Sequence, residues 1–242
     1  MKLMFIRHGD PDYSIDSLTP KGWREAKLLA ERMAKIQASK CYVSPLGRAK
    51  DTAKCSLEKM NIEAKILPWL AEFKPKVARP HCPEHRTVAW DWLPKDWAND
   101  ELFYDYYSWM EHPLMVEAKV PDELKYVYEN FEVLLNELGY EKNGKLFKVN
   151  KANNDTIVFF CHFGITCVLL GYLLNISPMV LWHATCSAPT SVTVVNTEER
   201  VKGIASFRMA EFGDVSHLYA AGEEPAFAAR FCECFDNSDE RH

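Results

Sequence analysis

Three short apolar runs, each stopping abruptly at polar side chains, constrain this chain more than any other feature. Lys2-Leu-Met-Phe-Ile6 ends at Arg7-His8, Cys41-Tyr-Val43 ends at Ser44-Pro45, and Thr156-Ile-Val-Phe-Phe-Cys161 ends at His162. Runs this short, without polar alternation, suit strands buried on both faces, as inside a parallel sheet. Ala64 to Leu67 is a further, shorter candidate. Ser191 to Asn196 and Ile204 to Met209 are late strands whose brief connection, 197–203, requires an antiparallel pairing.

Helical patterns separate the strands. Thr19 is placed to cap a helix opened by Pro20. Trp23, Ala26, Ala30 and Met33 give it a buried stripe, while Arg24, Lys27, Glu31 and Lys35 face water. Leu46, Ala49, Ala53, Leu57 and Met60 mark a second helix. Leu124, Tyr128, Phe131, Leu135 and Leu138 mark another, ending at Gly139. Asn143-Gly144 reads as a turn or small hairpin, and a helix is expected from Gly164 to Leu174. After Gly222 the tail is read as partly helical. The alternation predicts an α/β fold: three layers, α/β/α, with a mostly parallel sheet and an antiparallel strand near the C-terminus.

Between Phe73 and Val120 the pattern breaks down. Five prolines (75, 80, 83, 94 and 113) and Trp90, Trp92, Trp97 and Trp109 fall here. A linker would not be so aromatic, so the stretch is expected to be a partly helical cap inserted into one domain spanning 1–242.

Composition removes whole classes of function. A formal charge of −5 over 242 residues leaves no basic face for nucleic acid. No apolar run approaches the roughly 20 residues a membrane span needs. The eight cysteines are scattered rather than spaced as a disulfide framework. A non-membrane, cytoplasmic protein is the expectation; its oligomeric state is open.

Ligands of open α/β sheets bind beyond the carboxyl ends of the strands. Arg7 and His8 follow the first strand, Arg48 lies just past the second, Glu72 past the third, and His162 ends the fourth. Two arginines, two histidines and a carboxylate should therefore meet at one edge. A neutral histidine held in one tautomer is a nucleophile. Guanidiniums bind phosphoryl oxygens in forked geometry and stabilise transition-state charge. A helix starting after His162 adds backbone N–H groups. Glu72 is suited to protonate a leaving oxygen and then activate water. Nearby arginines are expected to lower its pKa and a bound phosphate to raise it again.

Phe5-Ile-Arg-His-Gly9, Leu18-Thr-Pro-Lys-Gly22 with Ala26, Ser44-Pro-Leu-Gly-Arg48-Ala-Lys-Asp-Thr52-Ala53, Leu70-Ala-Glu72 and Cys161-His162-Phe-Gly164 occur in order. Together they resemble the histidine phosphatase superfamily, which includes the cofactor-dependent phosphoglycerate mutases. The resemblance implies that His8 accepts the phosphoryl group. It implies that Arg7, Arg48 and His162 form the phosphate pocket, that Glu72 is the acid and base, and that neither metal nor organic cofactor takes part. The implied partner is a small phosphorylated substrate.

The chain departs from that pattern in places. Asp10-Pro11 follows Arg-His-Gly where Glu or Gln is common. The positions nearest the mutase Asn are Tyr13 and Ser14, and Phe163 stands where a small residue is frequent. Ser14 and Phe163 are therefore counted with the substrate-binding residues. The expected activity is phosphomonoester hydrolysis, with a phosphomutase or a non-catalytic phosphate-binding module as alternatives. His81-Cys-Pro-Glu-His85 carries ligand types but no second pair at metal-site spacing, so no metal site is assigned. Lys74, Lys76, Arg79 and Arg86 are candidates to meet a second anionic group. Cys232-x-Cys234 is given no role.

Overall fold

The N-terminal apolar run forms β1 (Lys2–Arg7), which lies inside an eight-stranded sheet in the computed structural model, whose described residues are 1–226 and 235–236. A two-residue pair, β2 (Pro11–Asp12) and β3 (Ser17–Leu18), leads into α1 (Pro20–Met33). Thr19 caps α1 by accepting the Gly22 N–H, as its position before Pro20 foretells. β4 (Lys40–Val43), α2 (Gly47–Met60) and β5 (Ala64–Ile66) follow. The 73–120 stretch holds a hairpin of β6 (Lys76–Arg79) and β7 (Cys82–Val88), then α3 (Pro94–Trp97), two single turns of 3-10 helix and α4 (Pro113–Glu117). After it come α5 (Val120–Glu137), β8 (Tyr140–Asn143), β9 (Leu146–Val149), β10 (Thr156–Cys161), α6 (Phe163–Leu174), α7 (Pro178–Ala184), β11 (Val192–Val201), β12 (Ile204–Asp214) and α8 (Ser216–Tyr219).

The sheet runs β5-β4-β10-β1-β11-β12-β9-β8. Its first four strands are parallel, with α1 crossing from β1 to β4 and α2 from β4 to β5, and its last four are antiparallel. The antiparallel part is thus longer than the single late strand expected. Asn143-Gly144 makes a true hairpin, with Gly144 at φ +62°, and that hairpin extends the edge beyond β12.

Strand alternation splits the core between two faces. Leu3, Phe5 and Phe159 pack with α5, α6 and the buried tryptophans of the 73–120 stretch. Met4, Ile6, Val158 and Phe160 pack with Leu29 and Met33 of α1 and Ala49 and Ala53 of α2. Phe159 is fully buried and stacks between Phe5 and Tyr42 at 5.1 and 5.3 Å. Burying such a side chain contributes about 1.5–3 kcal/mol. Cys41, Cys55, Cys82, Cys161 and Cys167 are free thiols. Among the described residues no helix is long and apolar enough to cross a membrane. Cys232-x-Cys234, and the tail from 227 except for 235–236, lie outside the described residues.

Candidate active site

β1 ends at Arg7 and the chain turns through His8, Gly9 and Asp10. The His8 N–H donates to the Cys161 carbonyl at the end of β10 (3.0 Å), and the Thr190 N–H donates to the His8 carbonyl (3.1 Å). The turn lies on the start of α1 through two facing glycines. A Cβ on Gly9 would sit 2.8 Å from the Gly22 carbonyl oxygen, and one on Gly22 would sit 2.2 Å from that of Asp10. The Gly9 N–H donates to Thr52 Oγ1 (2.9 Å), which itself donates to the Arg48 carbonyl (2.8 Å).

The His8 ring is 3% exposed, with Nδ1 2.7 Å from the Gly9 carbonyl oxygen. A carbonyl can only accept, so Nδ1 carries the proton and Nε2 keeps its lone pair. Burial, then the Arg7 charge, and lastly Arg48 hold the His8 pKa well below its ordinary value, against the Gly9 bond. His8 is therefore neutral at pH 7.

Arg7 is 8% exposed and donates through Nη1 to the Ser187 carbonyl (2.6 Å). Arg48, in the first turn of α2, donates through Nη1 to Asp16 Oδ1 (2.6 Å). The other oxygen of Asp16 accepts the Gly47 N–H (2.6 Å). Tyr13 covers the Arg48 guanidinium at 5.3 Å, and the buried Arg48 Nε has no hydrogen-bond partner. Ser14 sits on this exposed loop, its hydroxyl donating to Asp12 Oδ1 (2.5 Å).

His162 is fully buried at the N-cap position of α6, its ring centroid 5.0 Å from that of His8. Ser44 Oγ lies 2.7 Å from His162 Nε2 and accepts the Leu46 N–H (3.2 Å). The serine hydroxyl can therefore donate to Nε2, and in that tautomer Nδ1 is the N–H of His162. That buried Nδ1 has no partner. Burial, then His8 and the two arginines hold the His162 pKa well below its ordinary value.

Glu72 meets the first turn of α6, where backbone N–H groups lack helical partners. Its Oε1 accepts the N–H groups of Phe73 and Ile165 (both 2.9 Å), and its Oε2 accepts that of Gly164 (3.2 Å). Burial nevertheless raises its pKa, outweighing those three bonds and the weaker pull of Arg7. Arg7 pulls it down as expected, but Arg48 is paired with Asp16 and desolvation outweighs Arg7, so the net direction is upward even before phosphate binds.

Aromatic rings from three segments close this side. A Cβ on Gly164 would fall 2.3 Å from the Trp90 ring and 2.7 Å from Glu72 Oε1, so glycine alone lets the three meet. Phe163 is 6% exposed and packs edge-on to Trp90 at 6.2 Å. Trp182 lies 5.8 Å from Trp90 and donates through Nε1 to the Gly164 carbonyl (3.0 Å).

The basic residues after Glu72 are mostly committed elsewhere. Lys74 pairs with Glu123, Arg79 with Asp91 and Arg86 with Glu117. His81 pairs with Asp96 at 2.6 Å, leaving Cys82, Glu84 and His85 with ligand atoms within 4.8 Å of one another at the β6–β7 tip.

Four supporting residues have no role assigned by the sequence: Asp16 and Glu25, and also Ser44 and Thr52, which lie within the Ser44–Ala53 motif. Glu25 had a usable signal, since it heads the row that continues at Leu29 on the buried face of α1. Asp16 and Ser44 show no local pattern that marks their partners.

Residues 3–134 match the model of the histidine phosphatase superfamily (branch 1). Phosphoserine phosphatase 1 of Hydrogenobacter thermophilus is 25% identical over 214 residues, covering 83% of this chain and 88% of that protein. Phosphoserine phosphatase of Entamoeba histolytica, solved with 3-phosphoglyceric acid, superposes with a TM-score of 0.56 at 18% identity, over 90% of this chain and 98% of its own. The alpha-ribazole phosphatase of Shigella flexneri does so with a TM-score of 0.51 at 17% identity, over 86% and 95%. The chain therefore belongs to the histidine phosphatase superfamily, branch 1, and phosphomonoester hydrolysis is the general activity that this membership supports.

Proposed function

We propose that this protein hydrolyses a small phosphomonoester through a phosphohistidine on His8. The observation that carries this reading is the His8 ring itself: neutral, buried, with Nδ1 on the Gly9 carbonyl and Nε2 left as the nucleophile. His8 Nε2 attacks phosphorus while the bond to the leaving oxygen breaks, and protonated Glu72 delivers a proton to that oxygen. Arg7, Arg48 and His162 Nδ1 hold the phosphoryl oxygens. Glu72, now ionised, deprotonates a water that attacks phosphorus, the N–P bond breaks, and inorganic phosphate leaves with Glu72 reprotonated. None of these steps needs a metal.

The 73–120 stretch acts as a cap of the same domain and brings Trp90 to the leaving-group side. Two features favour water over a second substrate hydroxyl as acceptor. Ser14, one of the two positions nearest the mutase Asn, is held on Asp12, and Lys74, Arg79 and Arg86 are already paired. The free thiols suit a reducing compartment such as the cytoplasm. The name of the Hydrogenobacter relative puts phosphoserine first on a panel of phosphorylated metabolites.

The test compares wild type with His8→Ala on p-nitrophenyl phosphate and on that panel, with acid quenching to trap phosphoenzyme. His8→Ala should lower kcat on the order of 10⁴-fold or more. Wild type should carry acid-labile, base-stable phosphate on His8. Equal phosphate release by the two proteins overturns the reading.

A further inference from the structure

Glu25 takes no part in the chemistry above, yet its carboxylate is completely buried. It lies on the face of α1 that carries Ala26, Leu29, Ala30 and Met33, where an apolar side chain would avoid desolvating a charge. Its two oxygens hold two distant parts of the chain. Oε2 accepts the Asp10 N–H (2.9 Å) and Oε1 accepts the Ala226 N–H (3.2 Å). The charged groups facing it are Asp10 on the turn, Lys21 and Arg24 on α1, and Arg7 at the end of β1.

The Asp10 N–H is one end of a peptide unit whose other end is the Gly9 carbonyl. That carbonyl accepts from His8 Nδ1. Peptide units are planar and rigid, so an anchor on the N–H fixes the direction of the C=O. A carboxylate on the N–H also polarises the unit, which strengthens the carbonyl as an acceptor. Carboxylate, peptide and imidazole thus form one hydrogen-bonded line.

We propose that Glu25 is a positioning residue for the nucleophile: through the Gly9–Asp10 peptide it fixes the tautomer and orientation of His8, and through Ala226 it ties the C-terminal segment to that turn. A catalytic triad uses a carboxylate directly on its histidine for the same purpose; here one peptide unit intervenes. Lys21 and Arg24 support the tie, since both pair with Glu223. The proposal rests on His8 as nucleophile.

The test uses full-length Glu25→Gln and Glu25→Leu beside wild type and His8→Ala. Steady-state kinetics on p-nitrophenyl phosphate are combined with ¹⁵N-detected tautomer analysis of the His8 ring, assigned by its loss in His8→Ala. Glu25→Leu should lower kcat about 10- to 100-fold with KM nearly unchanged, because a small displacement of a reacting group is that damaging. Its His8 signal should move from the Nδ1–H form to a tautomer mixture. Glu25→Gln keeps a carbonyl for the Asp10 N–H, so it should retain the tautomer and lose only about threefold in kcat. Folded Glu25→Leu with wild-type kcat and an unchanged tautomer overturns the proposal. Should Glu25→Leu not fold, Glu25→Met, which also removes the acceptor for the Asp10 N–H, is read in its place, and wild-type kcat with an unchanged tautomer there overturns the proposal. Full activity in His8→Ala sinks the phosphohistidine reading instead, while the tautomer measurement still decides the role of Glu25.

Discussion

The two sides of the site meet within a few residues of α6 but are built from opposite materials. Around His8 lie Arg7, Arg48 and a second imidazole, and both histidines are kept neutral by burial and by those cations. Around Glu72 lie Phe73, Trp90, Phe163 and Trp182, and the carboxyl is pushed towards its protonated form by burial. In the proposed mechanism one side receives an anion and the other keeps a proton. A metal-free phosphoryl transfer needs both at once, because the nucleophile must be unprotonated while the acid is not. Each side can be altered without touching the other, so the division can be tested.

The largest effect on the aromatic side should come from Glu72→Gln, which removes the transferable proton. It should lower kcat about 10²- to 10⁴-fold on an alkyl phosphate. On p-nitrophenyl phosphate, whose leaving group needs no proton, the first turnover should survive as a burst while later turnovers stall for want of a base. Equal losses in burst and turnover on both substrates would break the assignment of proton transfer to this side.

On the cationic side the next largest effect should come from His162→Ala. It removes one donor to the transferring phosphoryl group and should cost about 10²- to 10³-fold in kcat, or roughly 3–4 kcal/mol in the barrier. Ser44→Ala should cost less. It leaves the imidazole in place but removes the hydroxyl that lies 2.7 Å from its Nε2. A Ser44→Ala loss as large as that of His162→Ala would make the serine, not the histidine, the important donor. Rapid-quench measurement of phosphoenzyme formation separates the two.

The cationic side was also the more legible in sequence. Arg7, His8, Arg48 and His162 each follow a short apolar run, and a strand that ends in a charge announces itself without any three-dimensional information. The partners that tune those residues did not. Ser44 meets His162 across 118 positions, and Asp16 reaches Arg48 from a loop whose left-handed turn at φ 48° has no glycine to mark it. For Glu72 the position was readable but the environment was not. Its three N–H donors include two from the start of α6, more than ninety positions away, and Trp90 comes from a stretch with no periodicity. The net direction of its pKa shift is set by burial, which spacing does not encode. In the sheet, the parallel strands were legible as uniform apolar runs. The β8–β9 edge showed only its turn, because half-exposed short strands alternate too briefly to register.

The smallest and most discriminating change is at Trp90, which touches the acid side alone. Its ring packs where a Gly164 Cβ would be, close to Glu72 Oε1, and so covers one side of the carboxyl. Trp90→Ala should admit water, and the Glu72 pKa should fall back towards the usual carboxylate range. General-acid activity is lost as pH rises through that pKa, so the alkaline limb of kcat/KM should move to lower pH. In the proposed mechanism the acid limb belongs to His8, which must stay neutral, so it should not move. At neutral pH the loss should be less than about tenfold, and Trp90→Phe should restore much of it. Stability follows the same sign. A carboxyl whose pKa is raised by folding favours the native state while protonated, and that contribution disappears as pH rises through its folded value. Melting temperatures of Trp90→Ala and wild type, measured from acidic to neutral pH, should therefore converge as the carboxyl becomes easier to ionise in the variant. An alkaline limb that stays put in Trp90→Ala would show that the aromatic side does not hold the proton, and the contrast between the two sides would reduce to packing.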